Sequence, residues 1–189
     1  MANFTKKAIL QTFQDMLVEM PFDKITVSAL VARCGLSSNT FYYHFQDIYD
    51  LLETWLNQQK EKYLHSGSDP ASWEADIRTI LHILQDNPRP VYHLVNSLSR
   101  ERMERYVFSS LEPQFYEFVR QQTHGLSIPE EKLQWISSFF CYSILGFVLK
   151  FLWSNMSANV DDSIEHLTNI YGRIIAIMIE QAQLEEGKA

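Results

Sequence analysis

Apolar residues recur at helical spacing along almost the whole chain. In the first segment Ile9, Phe13, Leu17 and Met20 fall on one face of a helix, which Pro21 ends. Later segments repeat this period, and none has the sustained alternation of apolar and polar residues that marks a half-buried β-strand. The pattern predicts an all-α protein of about nine helices.

Capping residues mark the ends of the short helices near the N-terminus. Thr26 and Ser37 each stand where a helix N-cap is needed, and Asp47 can cap the helix that follows. Gly35 follows the second apolar-patterned segment, where a glycine in the left-handed conformation would end the helix. These signals predict helices that begin directly after residues 26, 37 and 47.

Weaker signals give the later boundaries. A break is expected at residues 65–70, with Asp69 and Pro70 at the start of the fifth helix. Pro113 predicts a kink or a break within a long helical stretch. Ser127 and Glu130 have capping-box spacing before a long apolar helix.

Composition narrows the class of protein. The 189 residues are 46% hydrophobic with six glycines and six prolines, which excludes a disordered chain and a collagen-like repeat. A formal charge of -7 excludes a polybasic nucleic-acid coat but permits a local DNA-reading surface. Cys34 and Cys141 lie far apart and in no CxxC motif, so neither a disulfide framework nor a metal site is expected.

One stretch resembles a membrane span in length. Residues 133–149 carry no charge, but Gln134 and several serines interrupt them, and Lys132 and Lys150 flank them closely. The interpretation we favour is a buried helix or a subunit interface. The N-terminal residues show no signal-peptide pattern, and we expect a cytoplasmic protein that does not bind membranes.

Residues 25–45, ITVSALVARCGLSSNTFYYHF, carry the most specific pattern. Two short capped helices joined by a turn that contains Gly35 predict a helix-turn-helix. Apolar residues lock the two helices together and leave one face of the second helix available. Asn pairs with adenine and Ser or Thr with several bases, while hydroxyl groups and helix-start amides hold phosphates. The segment therefore predicts DNA binding.

The charge of this region is close to balanced. Residues 1–50 contain four basic and five acidic residues, whereas residues 24–46 contain Lys24 and Arg33 and no acidic residue. This distribution predicts a locally positive binding face. Because counterion release scales with the phosphates that Lys and Arg neutralise, we expect a shallow salt dependence of DNA binding.

The sequence FDKITVSALVARCGLSSNTFYYHFQDIYDLL, residues 22–52, closely resembles the DNA-binding domain of the TetR family of transcriptional regulators. Within the family, the TFYYHF and ILGFVLKFLW stretches are most similar to regulators of dihydroxyacetone kinase operons. The resemblance implies a helix-turn-helix DNA-binding domain over residues 1–46. It also implies an effector-binding and dimerisation domain over residues 47–189.

The resemblance assigns roles within the motif, with residues 37–44 as the recognition helix. The residues expected to face bases are Ser38, Asn39, Tyr42 and Tyr43. Those expected near phosphates are Thr26, Thr40 and His44. Lys24 and Ser37 complete the predicted DNA-binding set.

Two positions depart from the family pattern. Val31 stands where the family usually has alanine. Gln46, Asp47 and Ile48 stand where the family often has a lysine. The second departure removes one common phosphate contact.

The same resemblance implies a cavity for a small-molecule effector among the C-terminal helices, with mainly apolar walls. The residues predicted to bind the ligand are Tyr92, His93, Phe108, Tyr116 and Phe140. Aromatic residues at helical spacing also pack as ordinary core, so that alternative stays open for them.

The last two helices are too apolar for solvated faces, which predicts a homodimer built as a four-helix bundle. The residues expected at its interface are Ile144, Phe147, Val148, Phe151, Ile170, Ile174, Ile177 and Met178. The alternative is that these side chains cover one another within a single chain.

Together these patterns predict a homodimeric regulator of a pseudo-palindromic double-stranded DNA operator, controlled by a small-molecule effector. Repression is the family default, and activation stays open. The alternative function is a helix-turn-helix coregulator whose C-terminal domain binds a partner protein. The sequence has no GxSxG, HExxH, GxxxxGK[ST] or GxGxxG motif, so no enzyme activity, catalytic residue or cofactor is expected.

Overall fold

The computed structural model describes residues 2–64 and 73–186, which form nine α-helices, one short 3-10 turn at Phe22–Lys24 and no strand. The helices are α1 Ala2–Glu19, α2 Val27–Cys34, α3 Ser38–His44, α4 Ile48–Leu64, α5 Trp73–Asp86, α6 Pro88–Val95, α7 Arg100–Gln122, α8 Glu130–Trp153 and α9 Val160–Glu186. The predicted all-α class is confirmed. The predicted break at residues 65–70, with Asp69 and Pro70, lies outside the described residues.

The structure decides two later boundaries. Of the kink or break predicted at Pro113, the break does not occur: α7 continues through it, with buried Leu111 and Phe115 on either side. α8 begins after Pro129, and its first turn has no side-chain cap. The prediction that Ser127 caps this helix is therefore wrong, since the residue lies two positions before the observed N-cap.

The helices form two compact units. The first unit contains α1 to α4 together with Ile83–Ser99, and the second contains most of α5 with α7, α8 and α9. α4 and α6 therefore belong to the same unit as the helix-turn-helix. The domain boundary predicted at residue 46 stays a prediction.

The core of the first unit is built mainly on α1. Its ring contacts join Phe13 edge-on to Phe22 at 6.2 Å and to Trp55 at 6.0 Å. Burying each large apolar side chain stabilises the folded state by about 1.5–3 kcal/mol. Short helices are only marginally stable in isolation, so this cluster is what keeps them folded. The buried members are Ile9, Leu10, Phe13, Met16, Leu17, Phe22, Ile25, Leu30, Val31, Phe41, Phe45, Leu51, Leu52 and Leu94.

An aromatic cluster fills the interior of the second unit. The Tyr171 ring lies 4.8 Å from Phe140 and 5.2 Å from Trp73, and Trp73 lies 5.4 Å from Phe115. The Tyr171 hydroxyl shares a hydrogen bond of 2.6 Å with the hydroxyl of Ser143. Burial raises the pKa of Tyr171 to about 12, so this group stays a neutral hydrogen-bonding phenol.

α8 is apolar on all sides but has two distinct faces. Ile144, Val148 and Phe151 are buried within the chain, so the prediction that they contact a partner is wrong and the single-chain alternative applies to them. The exposed face of α8 instead carries Trp135, Phe139, Tyr142 and Trp153. In the described part of the chain, α8 is the one helix long and apolar enough to cross a membrane, and half of its apolar window is buried inside the protein.

Candidate nucleic-acid interface

Three caps shape the helix-turn-helix. The Thr26 hydroxyl accepts a hydrogen bond of 3.1 Å from the amide of Ala29 and caps α2. Gly35 ends α2 at φ 66°, a left-handed conformation that is cheap only for glycine. The Ser37 hydroxyl accepts from the Thr40 amide at 3.2 Å and caps α3. These three predictions are confirmed, and the caps set the direction in which α3 leaves the turn.

α3 buries one face and exposes the other. Phe41 is fully buried, whereas Tyr42 and Tyr43 are 58% and 79% exposed. Ser38 and Asn39 are exposed on the same side, one turn earlier. These four exposed residues, Ser38, Asn39, Tyr42 and Tyr43, form what we call the recognition face. Contact between the recognition face and DNA bases stays a prediction. A side chain must be exposed to make such a contact, and these four are.

The side chains expected near phosphates are partly engaged within the protein. Beyond their capping roles, the hydroxyl oxygens of Ser37 and Thr40 share a hydrogen bond of 2.9 Å. A phosphate oxygen only accepts, and each hydroxyl has one proton to donate. Thr26 therefore keeps its donor, while the Ser37–Thr40 pair has one donor left. His44 is half-buried, and its ring meets the Tyr43 ring edge-on at 5.0 Å.

Both basic residues of the motif are paired with acids. Arg33 donates two hydrogen bonds of 2.5 Å to the carboxylate of Glu19, and the Lys24 ammonium lies 3.1 Å from the carboxylate of Asp23. The hydrogen bond from each basic side chain holds the pKa of its acid below the usual range. The expected locally positive face from Lys24 and Arg33 is therefore wrong. Glu19 and Asp23 precede residues 24–46, the range in which the sequence has no acidic residue.

α6 is fastened to α1 within the first unit. The His93 imidazole donates through Nδ1 to the backbone oxygen of Leu17 at 2.6 Å. The Ser97 hydroxyl donates to the His93 backbone oxygen at 2.7 Å and lies 3.3 Å from the Asp23 carboxylate, and Leu94 is part of the unit's core. Leu17 is in the last turn of α1, where carbonyl oxygens lack helical partners. His93 therefore has a structural role in the first unit, beside its predicted role in ligand binding.

The other residues predicted to bind ligand have varied surroundings. Tyr92 is 42% exposed on α6 of the first unit. In the second unit, the Phe108 ring lies 4.7 Å from that of Tyr142, and the Tyr116 hydroxyl donates to Glu130 at 3.0 Å. Phe140 is fully buried in the aromatic cluster. The ligand-binding set stays a prediction.

Two buried polar atoms border the aromatic cluster without a hydrogen-bond partner. They are Nε1 of Trp73, a side chain only 3% exposed, and Oε1 of Gln114. The Gln114 amide nitrogen donates to Asp76, one turn along α5 from Trp73, at 3.2 Å. A buried donor and a buried acceptor left open together are costly unless something else satisfies them. Sequence reasoning missed both residues because the lack of a partner is a property of packing.

An open cleft of about 450 Å³ lies on the second unit between α5 and α9. Arg78 forms an ion pair with Asp161, and the His82 ring nitrogen lies 3.5 Å from the same carboxylate. The hydrogen bond from Arg78 lowers the pKa of Asp161. The lining residues are Glu74, Arg78, Asp161, Glu165, Thr168 and Asn169. Because both signs of charge line it, the cleft favours no single class of charged ligand.

A capped helix-turn-helix with an exposed recognition face, followed by a helical second unit, defines a DNA-binding transcriptional regulator. Residues 9–54 match the family model of bacterial regulatory proteins of the tetR family. Residues 71–172 match the model described as a transcriptional regulator C-terminal region of the same family. The chain therefore belongs to the TetR family, and it is a regulator of transcription and not an enzyme.

One curated sequence and two solved structures are similar to the chain, and the two structures share its fold. The HTH-type dhaKLM operon transcriptional activator DhaS of Lactococcus lactis is 25% identical over 83 residues, which is 44% of each chain. A solved structure of the dihydroxyacetone kinase operon activator DhaS has a TM-score of 0.67 at 16% identity, over 92% of this chain and 97% of that one. A transcriptional regulator of the TetR/AcrR type from Aquifex aeolicus has a TM-score of 0.52 at 20% identity, over 90% and 99%. The predicted likeness to regulators of dihydroxyacetone kinase operons is confirmed.

Proposed function

We propose that the chain is a homodimeric, operator-binding regulator that acts in the cytoplasm and is controlled through its second unit. The observation that carries the proposal is the recognition face, four exposed polar and aromatic side chains on a helix whose opposite face is locked in the core. In a dimer, two copies of α3 would enter successive major grooves of a pseudo-palindromic site.

Selection of bound DNA from a random duplex pool tests this proposal. The full chain is used at moderate salt and without added ligand. The expected result is a two-fold symmetric consensus with half-sites about one helical turn or more apart. A consensus with a single half-site would contradict the dimeric arrangement. No enrichment by a folded dimer would contradict autonomous operator binding.

The exposed faces of α8 and α9 support the homodimer. Besides the aromatic residues of α8, α9 exposes Ile170, Ile177 and Leu184 at intervals of seven residues. A seven-residue apolar interval is typical of helices that pair lengthwise. Burying these side chains against a second copy would remove from water the largest apolar residues that the second unit leaves exposed.

The unpartnered atoms of Trp73 and Gln114 support a small-molecule effector. A ligand that presents an acceptor to Nε1 of Trp73 and a donor to Oε1 of Gln114 would satisfy both atoms. The aromatic rings around Trp73 would pack against its carbon skeleton. Such a ligand would shift the balance between two conformations only as far as it binds them differently.

The sign of regulation has two candidates. The family default predicts repression. The similar curated sequence and one of the similar solved structures both carry the name of the operon activator DhaS, which supports activation. Transcription from a promoter that carries the selected site, with and without the purified protein, distinguishes the two by the direction of the change in transcript.

A partner protein is the second candidate for the controlling signal. The observation that favours it is that Phe140, predicted to line an effector cavity, is fully buried among packed rings. A panel of small hydroxylated and carbonyl metabolites, tested by isothermal calorimetry against the wild type and Trp73→Phe, separates the candidates. Saturable binding that weakens in Trp73→Phe supports the small molecule, and no binding by any member favours the partner.

A further inference from the structure

A lysine outside the helix-turn-helix motif lies at the end of the recognition helix. The Lys6 ammonium, from the second turn of α1, sits over the Phe45 ring at 5.4 Å from its centre. Phe45 is the residue that ends α3, and it is 2% exposed. We propose that Lys6 is a phosphate-binding residue of the operator complex, and that it supplies charge which Lys24 and Arg33 do not.

The position of the Lys6 ammonium is defined by two attractions. The face of an aromatic ring attracts a cation, and the buried Phe45 ring is held rigidly by the core. The C-terminal end of a helix carries partial negative charge, which also favours a cation at the end of α3. Lys6 is therefore pre-positioned, although its side chain remains half-exposed and able to extend.

The charge of Lys6 is not neutralised within the described chain. Among residues 2–64 and 73–186, no acidic group forms an ion pair with it. Lys24 and Arg33, in contrast, each carry a carboxylate at hydrogen-bonding distance. A phosphate near either pair would meet a carboxylate as well as a cation, so the pair gives little net release of counterions.

The two acids that follow Phe45 in the sequence, Asp47 and Asp50, accept hydrogen bonds from backbone amides. The Asp47 carboxylate accepts from the amides of Tyr49 and Asp50 at 2.7 and 2.9 Å. The Asp50 carboxylate accepts from the amide of Gln46 at 2.8 Å. These bonds fix the start of α4, where the chain has no lysine of its own. Lys6 therefore places a positive charge beside Phe45, just before the start of α4.

A recognition helix that lies in the major groove has the two sugar-phosphate backbones at its edges. A flexible ammonium anchored beside the end of such a helix can reach the backbone without entering the groove. Contacts of this kind fix register and carry no sequence information. Lys6 should therefore govern the affinity and the salt dependence of binding, and leave the choice of sequence to the recognition face.

The test compares the slope of log affinity against log salt for charge variants. Lys6→Met keeps the aliphatic stem over Phe45 and removes the charge. With one contact in each protomer, the slope should become shallower by about 1.8, from about 0.9 per neutralised phosphate. Lys6→Arg should restore the wild-type slope. Lys150→Met, the matched control that makes the same change of charge at an exposed position on α8 of the second unit, should leave the slope unchanged.

Two outcomes would overturn the proposal. One is a wild-type slope in Lys6→Met, and the other is an equal loss of slope in Lys150→Met. Circular dichroism and the oligomeric mass of each variant verify that the fold is intact. The proposal rests on DNA binding by α3, but the slope can be measured on any duplex. Failure to find an operator is therefore distinguishable from failure of the Lys6 contact.

Discussion

Arg33 of α2 donates two hydrogen bonds of 2.5 Å each to the carboxylate of Glu19 at the end of α1. The pair joins the first helix to the helix-turn-helix, and it occupies the guanidinium group of the motif's arginine. A side chain whose charge was expected to make the DNA-binding face positive therefore stabilises the scaffold that presents α3. Substitutions of Arg33 should therefore change the stability of the fold, whereas substitutions of Lys6 should change DNA binding.

Arg33→Gln should lower the stability of the first unit slightly and in a pH-dependent way. Because Arg33 lowers the pKa of Glu19, the pair's contribution is present above the ordinary carboxyl pKa of 4.5 and is lost as the pH falls through the lowered value. Urea unfolding should therefore separate the variant from the wild type at pH 7 and bring them together in acid. Glu19→Gln should reproduce the effect. A difference that grows as the pH falls would contradict the assignment.

Tyr43→Ala should weaken operator binding by about 1–3 kcal/mol, the usual cost of a lost base contact. Its side chain is 79% exposed, so unfolding free energy and dimer mass should be unchanged. The control is Phe41→Ala, which removes a fully buried ring and should destabilise the protein by about 3–5 kcal/mol. Fluorescence anisotropy on the selected operator and urea unfolding measure the two effects. Unfolding of Tyr43→Ala would show that the recognition face is wrongly assigned.

The contrast between these positions shows what sequence reasoning can reach. Thr26, Gly35 and Ser37 act on neighbours within three or four residues, so local patterning located them. The partners of Arg33 and Lys6 are 14 and 39 positions away in the sequence, and only the packing of α1 on the motif brings them together. α8 posed a different problem, because a helix that is apolar all round has no polar face to orient it. The sequence therefore could not distinguish buried Ile144 from exposed Trp135.

His93→Ala should destabilise the first unit by about 1–3 kcal/mol, because it leaves the Leu17 carbonyl in the last turn of α1 without its donor. Arg89→Ala, at an exposed position on the same helix, should change stability by less than about 0.5 kcal/mol. Urea unfolding without ligand makes the comparison. If His93 acted only on an effector, both variants would unfold like the wild type, and the difference would appear only when the effector is bound.

Ile177→Glu should convert the proposed dimer into monomers. Ile177 is 59% exposed in the single chain, so a carboxylate there costs a monomer little, whereas at a dimer interface it would be buried without a partner. Light scattering at micromolar concentration should show half the wild-type mass with unchanged helical content. Ile177→Val keeps the position apolar and should remain dimeric. A dimeric Ile177→Glu would remove this face of α9 from the interface and leave the exposed aromatic residues of α8 as the surface to test next.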